Sequence, residues 1–381
     1  MTDVDALLPL VRGAVDARLD EVLARLRAQW QDSPAVTDEL LEAAATALAG
    51  GKRMRAVLGA VGLTLEGGDA DPAAVAAGPT AARLGAALEL YQASALVHDD
   101  VIDAADTRRG RPAAHRRYAA RHRRAGWTGS ADVYGVSAAI LLGDLLMSAA
   151  TAQLGQATAG CERGAARAAR DAFDAMTAEV AVGQFLDVHQ EVMPLPAPTD
   201  RPVAAGAAMR EAALEVIRHK SARYSVMYPL QVGALLAGVA PHGELLTALE
   251  VFGEEIGIAF QLRDDVLGVF GDPALTGKPA GDDLREGKRT VLVALAWQRC
   301  NNAGRKLLTR VLAGDEAATA ADLSAAAALI RDCGALNAHE DEIAAHTATG
   351  LAALEAAPGA LPERSRRTLL GLAEMLTARR S

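Results

Sequence analysis

The run Leu96-Val97-His98-Asp99-Asp100-Val101-Ile102-Asp103 places carboxylates inside an otherwise apolar, helix-compatible stretch. At about 3.6 residues per turn, Asp99 and Asp103 project from one side, one turn apart. Stacked like charges raise each other's pKa unless a cation neutralises them. Hard carboxylate oxygens suit Mg²⁺, which keeps part of its water and bridges to substrate phosphates. The alternative is a solvated acidic helix face. Against that stands a second copy: Phe260-Gln261-Leu262-Arg263-Asp264-Asp265, again an Asp pair on an apolar helical pattern. It is followed by Gly277-Lys278-Pro279 and Asp282-Asp283-Leu284-Arg285-Glu286-Gly287-Lys288. Two acidic clusters with lysines and arginines nearby describe a metal-bridged diphosphate site.

Cations recur where helices must begin or end. Gly50-Gly51 can close a helix in the left-handed conformation, and Lys52-Arg53-Met54-Arg55 opens the next. Free amides at a helix start, together with cations, make an anion site; the other reading is an exposed basic turn. Asp106-Thr107-Arg108-Arg109-Gly110-Arg111-Pro112 ends the helix of the first acidic cluster. Its adjacent arginines present planar forks suited to phosphate oxygens. Gln92 lies two turns before Asp99 and can donate to phosphate, or be a satisfied buried polar group.

These ordered motifs resemble the trans-type isoprenyl diphosphate synthases, or polyprenyl synthetases, from about Gly50 to about Thr290. The resemblance implies one all-α domain over 1–381, a single large helical bundle around a central prenyl-chain cavity (the isoprenoid synthase fold). It implies Mg²⁺, three ions with bound diphosphate, held by Asp99, Asp103 and Asp264, with Asp100 and Asp265 in support. Lys52, Arg55 and Arg109 would grip isopentenyl diphosphate; Arg108, Lys220 and Lys278 would grip an allylic diphosphate (dimethylallyl, geranyl or farnesyl). Many bacterial relatives have His where this chain has Gln92. Ser221, in place of the usual threonine, would lie near the developing allylic cation, and Gln261 near the reacting end. Asp283 and Lys288 would order a closing loop. One departure is Gly268, where many relatives place a third aspartate; a changed metal affinity is expected.

The implied reaction is the head-to-tail condensation of an allylic diphosphate with isopentenyl diphosphate by ionisation, condensation and proton elimination. No protein base stands out, and His98 points about 100° away from Asp99, so the released diphosphate is the expected proton acceptor. Side chains before Asp99 lie progressively deeper along the helix. Many short-chain relatives set an aromatic floor four or five residues before the first aspartate, where this chain has Ala95 and Ser94. Tyr91 and then Leu88 stand deeper, which favours an all-trans C20 (geranylgeranyl) or C25 product over C10 or C15. A class I terpene cyclase would carry a different second metal motif and no use for Lys52 and Arg55; a non-catalytic partner subunit would be expected to lose carboxylates.

The elements that must position these groups are helical. The 381-residue chain is rich in Ala, Leu, Glu and Arg, with aromatics at 3 %. Amphipathic spacing predicts helices over 1–33, 37–49, 75–106 and 138–150, the last resembling a dimer-interface segment, so a homodimer is expected. Asp144 is expected to cap or to be buried. The stretch 121–136 reads as a surface insertion, and the Pro-rich 193–203 as a connection. A net charge of −9 argues against nucleic acid as a partner. Cys161, Cys300 and Cys333 are widely spaced, and neither a signal peptide nor a transmembrane stretch is evident, so a cytoplasmic enzyme is expected.

Overall fold

The computed structural model describes residues 3–65, 71–271, 281–313, 318–357 and 361–378, leaving aside the side chains of 3 and 34–36. In order the elements are α1 (Asp3–Gln29), α2 (Pro34–Leu48), α3 (Met54–Leu63), α4 (Pro72–Ala76), α5 (Pro79–Ile102), strands β1 (Thr107–Arg108) and β2 (Arg111–Pro112), α6 (Ala114–Ala125) and α7 (Ala131–Ala157). Then come α8 (Arg163–Val192), α9 (Pro202–Val216), a π-helical segment (Ile217–Met227), α10 (Tyr228–Ala237) and α11 (Glu244–Phe270). The rest are α12 (Asp282–Arg285), α13 (Val291–Arg299), α14 (Asn302–Val311), α15 (Ala320–Asp332), α16 (Ala335–Ala356) and α17 (Glu363–Thr377). The architecture is all-α, as the composition predicts.

The chain, expected as one domain, divides by its internal contacts into two compact units. The first comprises Met1–Phe173, Pro229–Leu246 and Leu361–Thr368; the second comprises Asp174–Tyr228, Thr247–Ala360 and Leu369–Ser381. In the first unit α5 is the central helix, with Leu84, Leu88 and Leu90 at most 1 % exposed. Burying each such leucine contributes about 1.5–3 kcal/mol. Small residues set the spacing. A side chain at Gly85 would strike Val15 and Ala56, and one at Gly233 would strike the Gly59 carbonyl, so α3 and α10 touch backbone to backbone. In the second unit a core of Leu214, Ile258, Leu262, Leu292, Leu295, Trp297 and Ile330 holds α9, α11, α13 and α15 together.

Several boundaries differ from those expected. The helix of the first motif starts at Pro79, not 75, because Gly78 takes an extended conformation and Pro79 is preorganised for the first turn. It ends at Ile102, since Ala104 is left-handed (φ 51°). The supposed insertion at 121–136 is mostly helix: α6 runs through 121–125 and α7 takes in 131–136, leaving a short turn in which left-handed Gly126 closes α6 and Ser130 caps α7. The connection after α8 agrees with expectation, ending at Pro202, the first residue of α9. α7 passes a length-and-composition test for crossing a membrane, as core helices also do, but Asp132 and Asp144 interrupt it, so the expectation of no uncharged 18-residue apolar stretch stands. Its apolar face is only partly covered, by α5 and α6, and Val133, Val136, Ile140, Leu141 and Met147 stay exposed.

Candidate active site

In the first unit the end of α5 and the β1–β2 hairpin build an acidic and a basic station side by side. The hairpin pairs Thr107 with Pro112 and Arg108 with Arg111. Its turn residues Arg109 and Gly110 both have positive φ (53° and 70°), the conformation that matches the twist of a two-residue hairpin. Holding a non-glycine residue there costs about 1–3 kcal/mol, so the hairpin is strained at the position that carries Arg109. Successive residues of a strand face opposite ways. Arg108 accordingly turns to the carboxylates: its Nε donates to Asp100 Oδ1 at 2.7 Å and its Nη2 to Asp99 Oδ2 at 2.9 Å. Asp100 is 3 % exposed, and burial pushes its carboxyl up while Arg108 pulls against that shift. Asp103 caps the end of the helix and is exposed.

Arg109 turns instead to the glycine pair. Its Nη1 donates to the Ala49 carbonyl at 3.2 Å, and the guanidinium lies over Gly51. Gly50 and Gly51 have φ of 75° and 89°, which only glycine adopts without strain. Of the cations that follow, Arg53 is withdrawn into the core: it bonds Asp16 at 2.9 Å, Glu89 at 3.2 Å and the Leu48 carbonyl at 2.7 Å. Lys52 is exposed at this corner and Arg55 is half-buried. Burial lowers the proton affinity of the Arg109 guanidinium; Glu89 opposes this, while Arg53, Arg108 and Arg55 lower it further. Convergent cations of this kind suit a polyanion.

The positions expected to set product length precede Asp99 on α5. Tyr91 is 3 % exposed and meets Phe173 edge to face with centroids 6.0 Å apart. Leu88 packs under Gly59. Ala95 and Gln92 are half-buried. Ser94 donates to the Gly143 carbonyl of α7 at 2.8 Å; five residues turn a helix about 140° from Asp99. His98 also faces α7, donating to the Ile140 carbonyl at 3.2 Å. Asp144, expected capped or buried, is largely exposed and stands 3.6 Å from His98.

In the second unit the surprise is the π-helical form of Ile217–Met227, which carries Lys220 and Ser221. It is wedged by glycines: a side chain at Gly183 would strike the Lys220 nitrogen, one at Gly257 the Ala222 carbonyl, and one at Gly253 the Met227 backbone. Glu179 ties it from α8, accepting from His219 at 2.6 Å, Arg223 at 2.7 Å and Tyr228 at 2.6 Å. Burial alone would raise the Glu179 carboxyl, but bonds from Tyr228, His219 and Arg223 hold it below its usual range. Lys220 Nζ donates to Asp187 at 2.5 Å. A widened helical turn is a recurrent device at functional sites, and no periodicity in the sequence signals it.

On α11, Gln261 donates to Asp265 Oδ1 at 3.1 Å. Asp265 is 6 % exposed, its Oδ2 has no hydrogen-bond partner, and its carboxyl is raised well above the usual range, first by burial and then by Asp283. Asp264 is half-buried beside it. Arg263 faces away, held by Glu340 at 2.6 and 2.7 Å and by the Thr377 carbonyl at 3.0 Å. His339, 0 % exposed, donates to the Leu262 carbonyl at 2.8 Å. The C-terminal helices, left without a role by their sequence, thus brace the second motif. Lys288 pairs with Asp283 at 3.6 Å and Glu286 at 2.6 Å. Lys278 lies outside the described residues. Among the described residues no three His, Cys, Asp or Glu side chains gather into a closed metal site.

The polyprenyl synthetase family pattern matches residues 37–330. Geranylgeranyl diphosphate synthase of Sulfolobus acidocaldarius is 32 % identical over 282 residues, 74 % of this chain and 73 % of that protein. Geranylfarnesyl diphosphate synthase of Aeropyrum pernix is 32 % identical over 309 residues, 80 % of this chain and 84 % of that one. A crystal structure of geranylgeranyl pyrophosphate synthase from Corynebacterium glutamicum, complexed with isoprenyl diphosphate and magnesium, superposes with TM-score 0.84 at 37 % identity, covering 98 % of this chain and 99 % of that one. The fold shared with these enzymes is the all-α isoprenoid synthase fold.

Proposed function

We propose, for a chain that belongs to the polyprenyl synthetase family and is a prenyltransferase, that it joins isopentenyl diphosphate head to tail to an allylic diphosphate and extends the trans-prenyl chain to C20 or C25, releasing diphosphate. The observation that carries this reading is the divergence of two adjacent arginines. Arg108 goes to the Asp99–Asp100 pair and Arg109 to the Gly50-Gly51 corner with Lys52 and Arg55, two separate stations for two diphosphates. An enzyme with one diphosphate substrate has no use for the second station, so cyclisation is disfavoured.

The residues present fit Mg²⁺. In the first unit Asp99 and Asp103 offer hard oxygens; in the second, Asp264 does so beside buried Asp265, whose open Oδ2 needs positive charge, and oxygen donors of this kind suit an ion completed by phosphate and water. The magnesium complex of the Corynebacterium enzyme supports this, and three ions are expected here. When bound, Mg²⁺ supplies charge stabilisation to the departing diphosphate. The chain's own cations do the rest. Arg108 is ordered in advance by Asp99 and Asp100, and Lys220 by Asp187, so a diphosphate arriving at either exchanges one anionic partner for another with little reorganisation. Ser221, on the widened turn, offers its oxygen to the allylic cation. His98 is committed to α7, and the departing diphosphate takes the proton.

The exposed apolar row of α7 supports a homodimer. The free cysteines suit a reducing compartment, so the reading includes a cytoplasmic location. Purified protein given isopentenyl diphosphate, Mg²⁺ and each allylic primer in turn should yield C20 or C25 diphosphates by mass spectrometry. Conversion of the primer to a hydrocarbon without elongation would establish cyclisation, and no turnover would leave the partner-subunit reading.

A further inference from the structure

The two acidic motifs are unequal. In the first, Asp99 and Asp103 stand four residues apart; in the second, the residue four after Asp264 is Gly268, which has no side chain. The structure fills that place from another element. A Cβ built on Gly268 would fall inside the Asp283 carboxylate, whose Oδ2, Cγ and Oδ1 are its nearest neighbours. Asp283 belongs to α12, and Lys288 holds it there: the Lys288 amide donates to the Asp283 carbonyl at 3.0 Å, and its ammonium stands 3.6 Å from Oδ1.

We propose that Asp283 is the third carboxylate of the second acidic motif, standing through space in the position that Gly268 leaves open and serving the same divalent-cation site as Asp264. A second observation points to a cation there. Asp265, 6 % exposed, keeps Oδ2 without a hydrogen-bond partner, and the charges of Asp283 and Asp264 act against its ionised form more than Lys288 acts for it. A buried carboxylate with an open oxygen among like charges is costly until a cation neutralises it. The arrangement also accounts for the glycine. Glycine inside a helix costs about 1 kcal/mol relative to alanine, yet any Cβ at 268 would displace Asp283. The motif therefore exchanges a side chain on its own helix for one brought by α12. Carboxylate supply to the cation then depends on whether α12 is seated.

This inference rests on the magnesium–diphosphate reading above, and the test separates the two. Calorimetric titration of inorganic diphosphate at a series of Mg²⁺ concentrations gives the Mg²⁺ dependence of binding, with circular dichroism and melting temperature reporting the fold. Asp283→Asn should weaken Mg²⁺ dependence about 10- to 100-fold, the scale for residues that complete or support a metal site. Gly268→Asp alone should lower the melting temperature, because two carboxyls then compete for one place. The exchange variant Gly268→Asp/Asp283→Ala should melt higher than Gly268→Asp and bind with tighter Mg²⁺ dependence than Asp283→Ala. A folded Asp283→Asn with wild-type Mg²⁺ dependence, or an exchange variant no better than Asp283→Ala, overturns the assignment of Asp283. Wild-type protein that binds diphosphate without regard to Mg²⁺ overturns the broader reading instead.

Discussion

Truncating Tyr91 to alanine should lengthen the product by one five-carbon unit. Tyr91 stands eight residues before Asp99, about 12 Å along the helix, and Leu88 eleven, about 16.5 Å. Removing the tyrosine moves the first large side chain back by about 4.5 Å, close to one isoprene unit. The ring is 3 % exposed and rests edge-on against Phe173, itself 1 % exposed, so the change also costs stability. Loss of a buried aromatic costs about 3–5 kcal/mol, of which the ring pair accounts for about 0.5–1.5. The assay is mass spectrometry of products from each primer, run below the melting temperature of the variant. Tyr91→Phe keeps the ring and should keep wild-type length, while Phe173→Ala, which frees the tyrosine to move, should lengthen part of the product. A folded Tyr91→Ala with an unchanged product distribution would refute the reasoning and move the length-setting residue off α5.

Arg108→Gln should lower kcat about a hundredfold, the effect of removing one donor from a developing charge, whereas Arg109→Gln should chiefly raise the KM for isopentenyl diphosphate; steady-state kinetics with each substrate varied distinguishes them, and equal effects on both substrates would contradict two stations. Glu179→Gln should release the π-helical segment, with roughly a tenfold to hundredfold loss in kcat/KM from misplaced Lys220 and Ser221 and little change in helix content by circular dichroism. His339 gives a pH prediction. Burial lowers its pKa against the smaller opposing pull of the Leu262 carbonyl, so the neutral form is favoured in the folded chain. Its contribution is then complete above the unfolded value of about 6.5 and is lost as pH falls toward the folded value. Melting temperature between about pH 7 and 5 should fall less steeply in His339→Gln, which can still donate to Leu262, than in wild type; identical slopes would show that the imidazole takes up its proton alike in the folded and unfolded chains.

Candidate residues could be chosen from residue order because groups that bind diphosphate must be charged, and their spacing on a helix follows from its fixed pitch. Asp99 and Asp103, the Asp264–Asp265 pair, Lys52, Arg55, Arg108, Arg109 and Lys220 could all be chosen that way, as could the all-α class, from a composition poor in aromatic residues. What the pitch could not supply was the partner of each group. That Arg53 is a core anchor while Lys52 beside it is exposed depends on Glu89 and Asp16, far off in sequence. That Ser94 bonds to α7, that Glu179 binds two side chains of the widened segment and Tyr228 just after it, and that His339 and Glu340 brace the second motif are likewise contacts between distant segments. Gly268 shows the division most plainly. In sequence it is a missing aspartate; in space it is the opening that admits Asp283, because a carboxylate's place is set by where its oxygens lie and not by which helix carries them.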